Sequence, residues 1–129
     1  MKLHGEEHER TLRAANNYAV SLKELNRFEE AKVLLRKTIS VARRVLGENN
    51  YLTLRMRTVY AQSLYLDANA KLDDLHEAVN TFEDAGRIAR RVFGGAHPRT
   101  VGIEAALRNA RAALSARETP PSSSSSGDV

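Results

Sequence analysis

An all-α fold, an α-solenoid of antiparallel helix hairpins, is what this sequence predicts, on two observations. The first is an internal repeat. Gly5, Thr11, Leu12, Tyr18, Ala19 and Leu22 return 42 residues later as Gly47, Thr53, Leu54, Tyr60, Ala61 and Leu64, and the opening of that register returns after 47 more as Gly94, Thr100 and Val101. A period near forty residues is the mark of stacked units, none of which buries its apolar face alone. The second observation is that each unit carries two helical periods, an A pattern and a B pattern, giving five helices over about two and a half units.

The first A helix is marked by Leu12, Ala15, Tyr18, Ala19, Leu22 and Leu25 at spacings of three and four. Asn26 with Glu29 has the cap-plus-three spacing that starts the first B helix. Along that helix Phe28, Ala31, Leu35, Thr38, Ala42 and Val45 form one stripe, and Leu34, Val41 and Leu46 a second. Two stripes are what a B helix needs in order to pack on its own A helix and on the next. Gly47 then supplies a left-handed turn, with Arg43 and Arg44 in the last helical turn complementing the dipole. The second A helix repeats the pattern with Leu54, Tyr60, Ala61 and Leu64. The five additional residues of the second unit fall within Asp67 to Asp73, as a longer turn or an added helical turn.

Asp74 with Glu77 is expected to cap the second B helix, on which Leu75, Ala78, Phe82, Ala85, Ala89 and Val92 step as in the first, with Ile88 and Phe93 on the second stripe. Gly94 closes it, after Arg90 and Arg91. Pro98 fits the first turn of a last helix, roughly Arg99 to Arg117, whose Ile103, Leu107, Ala110 and Leu114 cover the preceding B helix. Arg108 and Arg111 stand where the earlier A helices have Ala19 and Leu22 or Ala61 and Leu64, so this helix reads as a polar-backed cap. The organisation is thus a repeat domain over 1–117 (repeat 1 about 8–47, repeat 2 about 50–94, capping helix about 98–117) and a disordered Ser/Pro-rich tail over 118–129. Leu3, His4 and Gly5 align with the end of a B helix whose body is missing, which predicts either a piece of a longer array or an uncapped first helix open to self-association.

Composition narrows the function. The chain is 42% apolar and 28% charged, contains no cysteine, and carries a net charge of +4. That balance suits a globular domain, excludes disulfide and thiol chemistry, and favours acidic partners. No apolar run is long enough for a membrane span, and the charged first ten residues do not form a secretory signal, so a cytoplasmic location is expected.

The order Leu-Gly, a His three residues later, Thr-Leu, Asn-Asn-x-Ala, Phe-Glu-Glu-Ala resembles the tetratricopeptide repeat of the kinesin light chain type. Here the residues are Gly5, His8, Thr11, Leu12, Asn16, Asn17, Ala19, Phe28, Glu29, Glu30 and Ala31, then Val45, Leu46 and Gly47, with Gly94, His97, Pro98 and Thr100 in the third copy. The resemblance covers Gly5 to Leu114. It implies a right-handed superhelix whose A helices line a concave groove that accepts an extended peptide. By position that groove comprises Arg13, Asn16, Asn17, Val20 and Lys23 on the first A helix and Arg55, Thr58, Gln62 and Tyr65 on the second. An asparagine there would hold peptide backbone, and the cations would favour acidic cargo. Val59 and Thr58 replace the asparagine pair in the second unit, and Ala105 and Ala106 in the third. The heptad-bearing coiled coil of a true light chain is absent.

Other motifs give way to simpler readings. His4, Gly5, Glu6, Glu7, His8 matches the inverted zinc-protease string, but Gly5 interrupts it at an expected helix end, and His8 aligns with the loop positions Asn50 and His97. His76 has no sequence companion and is expected at the surface. No nucleophile, base and orienting group form a constellation and no phosphate loop is present, so the chain is read as a non-enzyme without cofactor or metal. The alternative function is nucleic-acid or anionic-surface binding through Arg36, Lys37, Arg43, Arg44, Arg87, Arg90 and Arg91. No stacking aromatics interleave with these charges. Tyr18 and Tyr60 share a register and are both expected to pack in the core.

Overall fold

The computed structural model describes residues 4–118, with side chains from His8 onward. Five helices run in chain order: α1 His4–Glu24, α2 Phe28–Val45, α3 Tyr51–Tyr65, α4 Leu72–Phe93 and α5 Pro98–Glu118. Helices α1, α3 and α5 form the A layer, and α2 and α4 the B layer. Each helix packs on its chain neighbours, and α3 also touches both α1 and α5, so it contacts all four others. The A helices approach one another more closely than the two B helices do. An array whose one layer is tighter curves toward that layer, which makes the A side concave.

The turns explain the hairpins. Asn26 takes φ +62°, and the Arg27 and Asn26 amides donate to the Leu22 and Lys23 carbonyls at 2.8 and 2.9 Å. This is a left-handed helix terminus with both crossed bonds of the Schellman motif. Asn26 therefore ends α1 and does not cap α2, whose N-cap position, Arg27, makes no side-chain capping bond. Gly47 and Gly94 take φ +95° and +93° as their sequence positions imply. Asn50 Oδ1 accepts the Leu52 amide at 2.8 Å and His97 Nδ1 accepts the Arg99 amide at 3.1 Å, each capping the A helix that follows. The third member of that register, His8, instead lies within α1.

The five additional residues are shared between both expected solutions. The α3–α4 connection is longer than the α1–α2 connection, and α4 starts at Leu72, nearly a turn ahead of Leu75, the counterpart of Phe28. Asp74 is consequently the third residue of α4. Its carboxylate accepts the Lys71 amide at 2.9 Å, while a lysine side chain has no acceptor with which to complete a reciprocal box. The long turn is tied down from α5, where Arg117 donates to the Ala70 carbonyl.

The core follows the predicted stripes where a neighbour exists. Ala31, Leu35, Ala42, Leu75, Ala78, Phe82, Ala85 and Ala89 are buried, as are Leu12, Ala19, Leu22, Leu54, Tyr60, Ala61 and Leu64. Small residues at the crossings let helices approach closely; a side chain at Gly86 would sit 3.6 Å from Ile103 Cγ2. Tyr18 and Leu25 depart from the expectation, being 60% and 67% exposed. Tyr60 is 7% exposed because α2 and α4 flank it, whereas the corresponding flank of α1 is open: Thr11, Ala14, Tyr18 and Ser21 are exposed where Thr53, Met56, Tyr60 and Ser63 are buried. Val92, at the last step of the second B stripe, is also exposed. The last helix buries Thr100, Ile103, Ala106 and Ala110 against α4 and keeps Arg108 and Arg111 outside. It extends through Glu118, one residue past the expected domain boundary; the Ser/Pro-rich remainder of the expected tail lies outside the described residues.

Backbone conformation separates two glycines. A side chain at Gly94 meets no atom within 4 Å, yet its φ of +93° is one that L residues avoid, so Gly94→Ala is expected to lose about 1–3 kcal/mol in urea unfolding. Gly102 is helical and equally unobstructed, so Gly102→Ala is expected to gain about 0.5–1 kcal/mol. Shifts in the same direction would contradict this account.

Candidate functional site

The sequence positions assigned to a groove fall on α1 and α3, and α3 sorts its own residues sharply. Tyr51, Arg55, Thr58, Gln62 and Tyr65 are its only residues that escape burial. They step four, three, four, three, so they form one stripe along the concave side. Arg55, Thr58 and Gln62 line an open depression of ≈ 220 Å³ between α3 and α5, which Tyr51, Phe93, Pro98, Arg99 and Gly102 complete. Gln62 Oε1 accepts a bond from Lys23 Nζ of α1 at 2.9 Å, which joins the two A helices across this face. Thr58 donates its hydroxyl to the Leu54 carbonyl at 2.9 Å. Tyr65 packs edge-on against Phe82 at 5.9 Å, so its ring serves the core as well.

On α1 the structure rearranges the expected roles. Asn16, assigned as a backbone clamp, is 1% exposed and its Oδ1 has no hydrogen-bond partner. Helix α1 packs on α2 and α3, and Asn16 lies within those contacts, out of a peptide's reach. Asn17, one helical step of about 100° away, is exposed. Arg13 is exposed and paired with Glu9 at 2.7 Å, and Val20 is half-buried against the core.

The contribution of α5 was not legible as a site, because its polar back marked it as a cap. The signal was nevertheless in the register, in which Gly102 is the counterpart of Arg55 and Arg13. A glycine at that step leaves open the space that forms the depression. Arg99, beside it, lies over the Tyr51 ring at 3.5 Å, a cation–π contact that holds the guanidinium at the rim. Neither Arg55 nor Arg99 makes an ion pair among the described residues.

The convex side is different. Most of its arginines are engaged: Arg43 with Glu48 at 3.1 Å, Arg87 with Asp84 at 3.1 Å, Arg90 with Glu104 at 2.9 Å and Arg91 with Asn49 at 3.1 Å. They do not form a continuous unpaired stripe. At the back of α3, Arg57 is buried and donates to Asp84 at 2.7 Å. Tyr60 donates to Glu77 at 2.7 Å and accepts from Arg36 at 3.2 Å. The Arg57 hydrogen bond, outweighing partial burial, holds the Asp84 carboxyl below the usual carboxylate range. Burial, reinforced by the Glu77 bond, pushes the Tyr60 hydroxyl up.

Among the described residues no cluster of His, Asp or Glu could hold a metal ion, and no helix is long and apolar enough to cross a membrane. The His-x-x-Glu-His string begins with side chains outside those described, and His8 is exposed. His76 is exposed and does have a companion, Glu118, at 3.1 Å.

Stacked hairpins with one open inner face define a helical-repeat protein. Residues 11–51, from α1 into the start of α3, match the tetratricopeptide repeat family model; no curated protein and no solved structure matches the chain. The α3–α4 hairpin repeats the matched register. Repeats of this family generally mediate protein–protein interaction.

Asp84 and Tyr60 set a pH window. Asp84 contributes stability above the free-aspartate value of about 3.9, lost as pH falls through its lower folded value. Tyr60 contributes below the free-tyrosine value of about 10, lost as pH rises through its higher folded value. Urea midpoints followed with pH should show Asp84→Asn flattening the acid limb and Tyr60→Phe the alkaline limb. An unchanged acid slope in Asp84→Asn would remove Asp84 from the account.

Proposed function

We propose that the concave A-layer face holds an extended, acidic segment of another protein, and that the chain is a non-catalytic adaptor of the kinesin light chain type working in the cytoplasm. One observation carries this reading: the α3 stripe opens into a depression rimmed by Arg55 and Arg99, two guanidiniums without carboxylate partners among the described residues. An extended chain presents side chains alternately, so every second residue can enter such a groove while the backbone stays available for hydrogen bonds.

The stripe supplies matching chemistry. The Gln62 amide accepts from Lys23 and keeps its NH2 for a peptide carbonyl. Arg55 and Arg99 face incoming carboxylates, and the Arg13–Glu9 pair at the surface is weak enough for a partner's carboxylate to displace. Asn17 offers an exposed amide in place of the buried Asn16. Paired convex arginines make nucleic acid a poorer fit, because backbone recognition needs several free cations in series.

The test is fluorescence polarisation with extended peptides rich in Asp and Glu, compared with the same peptides carrying Asn and Gln. The acidic set should bind more tightly, and Arg55→Glu with Arg99→Glu should weaken it by about tenfold or more, mostly through the loss of charge pairing. Gly102→Gln, which fills the depression from a helical position with open space around it, should weaken both sets. Equal binding of neutral and acidic peptides, or a charge-reversed variant as tight as the parent, would overturn the reading.

A further inference from the structure

A second cavity, on the opposite side of α3, is independent of the groove. It measures ≈ 670 Å³ and is walled by Arg36, Ser40, Arg43 and Arg44 of α2 and by Glu77 and Thr81 of α4, with Arg57 and Tyr60 of α3 at its floor. Four guanidiniums converge on it, against one carboxylate in the wall. That carboxylate, Glu77, is already accepting the Tyr60 hydroxyl.

The floor shows an unmet demand. The Arg57 side chain is 7% exposed and its Nη2 is satisfied by Asp84, but Nη1 is buried without a hydrogen-bond partner, 3.6 Å from the nearest Glu48 oxygen. A buried donor left unbonded is unfavourable, and more so on a charged group. Above it, Arg44 makes no ion pair among the described residues, and Arg36 spends only its Nε on Tyr60, which leaves both terminal nitrogens available. Ser40 and Thr81 add hydroxyls at the walls.

The geometry points to a binding pocket for a phosphate-type oxyanion between α2 and α4, gripped by Arg36 and Arg44 over the buried Arg57 guanidinium at its floor. A carboxylate has two oxygens and would leave several of these donors idle. A tetrahedral phosphoryl group brings three or four oxygens and up to two negative charges, matching guanidinium forks from three directions. The convex face binds a single anion, because Arg43 in the cavity wall and Arg87, Arg90 and Arg91 beyond the cavity are each engaged within the protein.

The 129-residue chain titrated with inorganic phosphate should show saturable movement of the Arg57 side-chain Nε–H resonance in nitrogen–proton correlation spectra, with chloride at equal ionic strength inert. Arg36→Gln and Arg44→Gln, both at exposed positions, should each weaken phosphate about tenfold, and Arg108→Gln should not. A phosphoserine peptide that binds more tightly than inorganic phosphate supports the site and identifies a protein-borne phosphoryl group as its source. One that binds equally or more weakly supports it as a free-phosphate site. Non-saturable shifts, shifts reproduced by chloride, affinity unchanged in both α2 variants, or binding of duplex oligonucleotide without phosphate binding would each overturn the assignment.

Discussion

Helix α3 has no free side except one, and the rest of the molecule follows from that constraint. It is packed by all four other helices, so an apolar flank must face each of them, and any polar group on those flanks must find a partner inside the protein. Thr53 reaches the Ala42 carbonyl, Ser63 the Val59 carbonyl, Arg57 the Asp84 carboxylate, and Tyr60 both Glu77 and Arg36. The bonds from Thr53, Arg57 and Tyr60 lock α3 in rotation against α2 and α4. With its rotation set, the remaining stripe from Tyr51 to Tyr65 faces the concave side.

The two faces of the layer therefore differ in kind. On the inner face the A helices lie close, their exposed residues are one row per helix, and the depression exists because Gly102 contributes no side chain where α1 and α3 carry arginine. On the outer face, α2 and α4 are held apart by the width of α3, which leaves a cleft over the back of that helix. Curvature thus separates a smaller depression on the inner face from a larger, arginine-lined cleft on the outer one. Most convex arginines are consumed in neighbouring pairs, worth little individually at the surface, whereas Arg36 and Arg44 line the cleft without an ion pair among the described residues.

The repeat register shows both what could be read and where reading stopped. Residues at equivalent positions were correctly equated, but equivalence does not say whether a neighbouring helix is present. Tyr18 and Tyr60 share a register and a chemistry, and one is a surface residue while the other is sealed between two B helices. Asn16 and Thr58 likewise share a position, yet Asn16 is buried and Thr58 only partly so. Asn26 illustrates a local ambiguity: asparagine serves equally at a helix start and in a left-handed terminus, and here the chain reversal after α1 selects the second use.

By itself the sequence determined the five helices, the hairpin order, the glycine turns and the stripes that pack, because these depend on periodicity and on backbone conformations that few residues tolerate. Only tertiary structure decided which polar side chains remain available. Burial of Asn16, the depression shared by α3 and α5, and the convergence of Arg36, Arg44 and Arg57 all join residues far apart in the chain. Their chemistry depends on distances that no local spacing encodes.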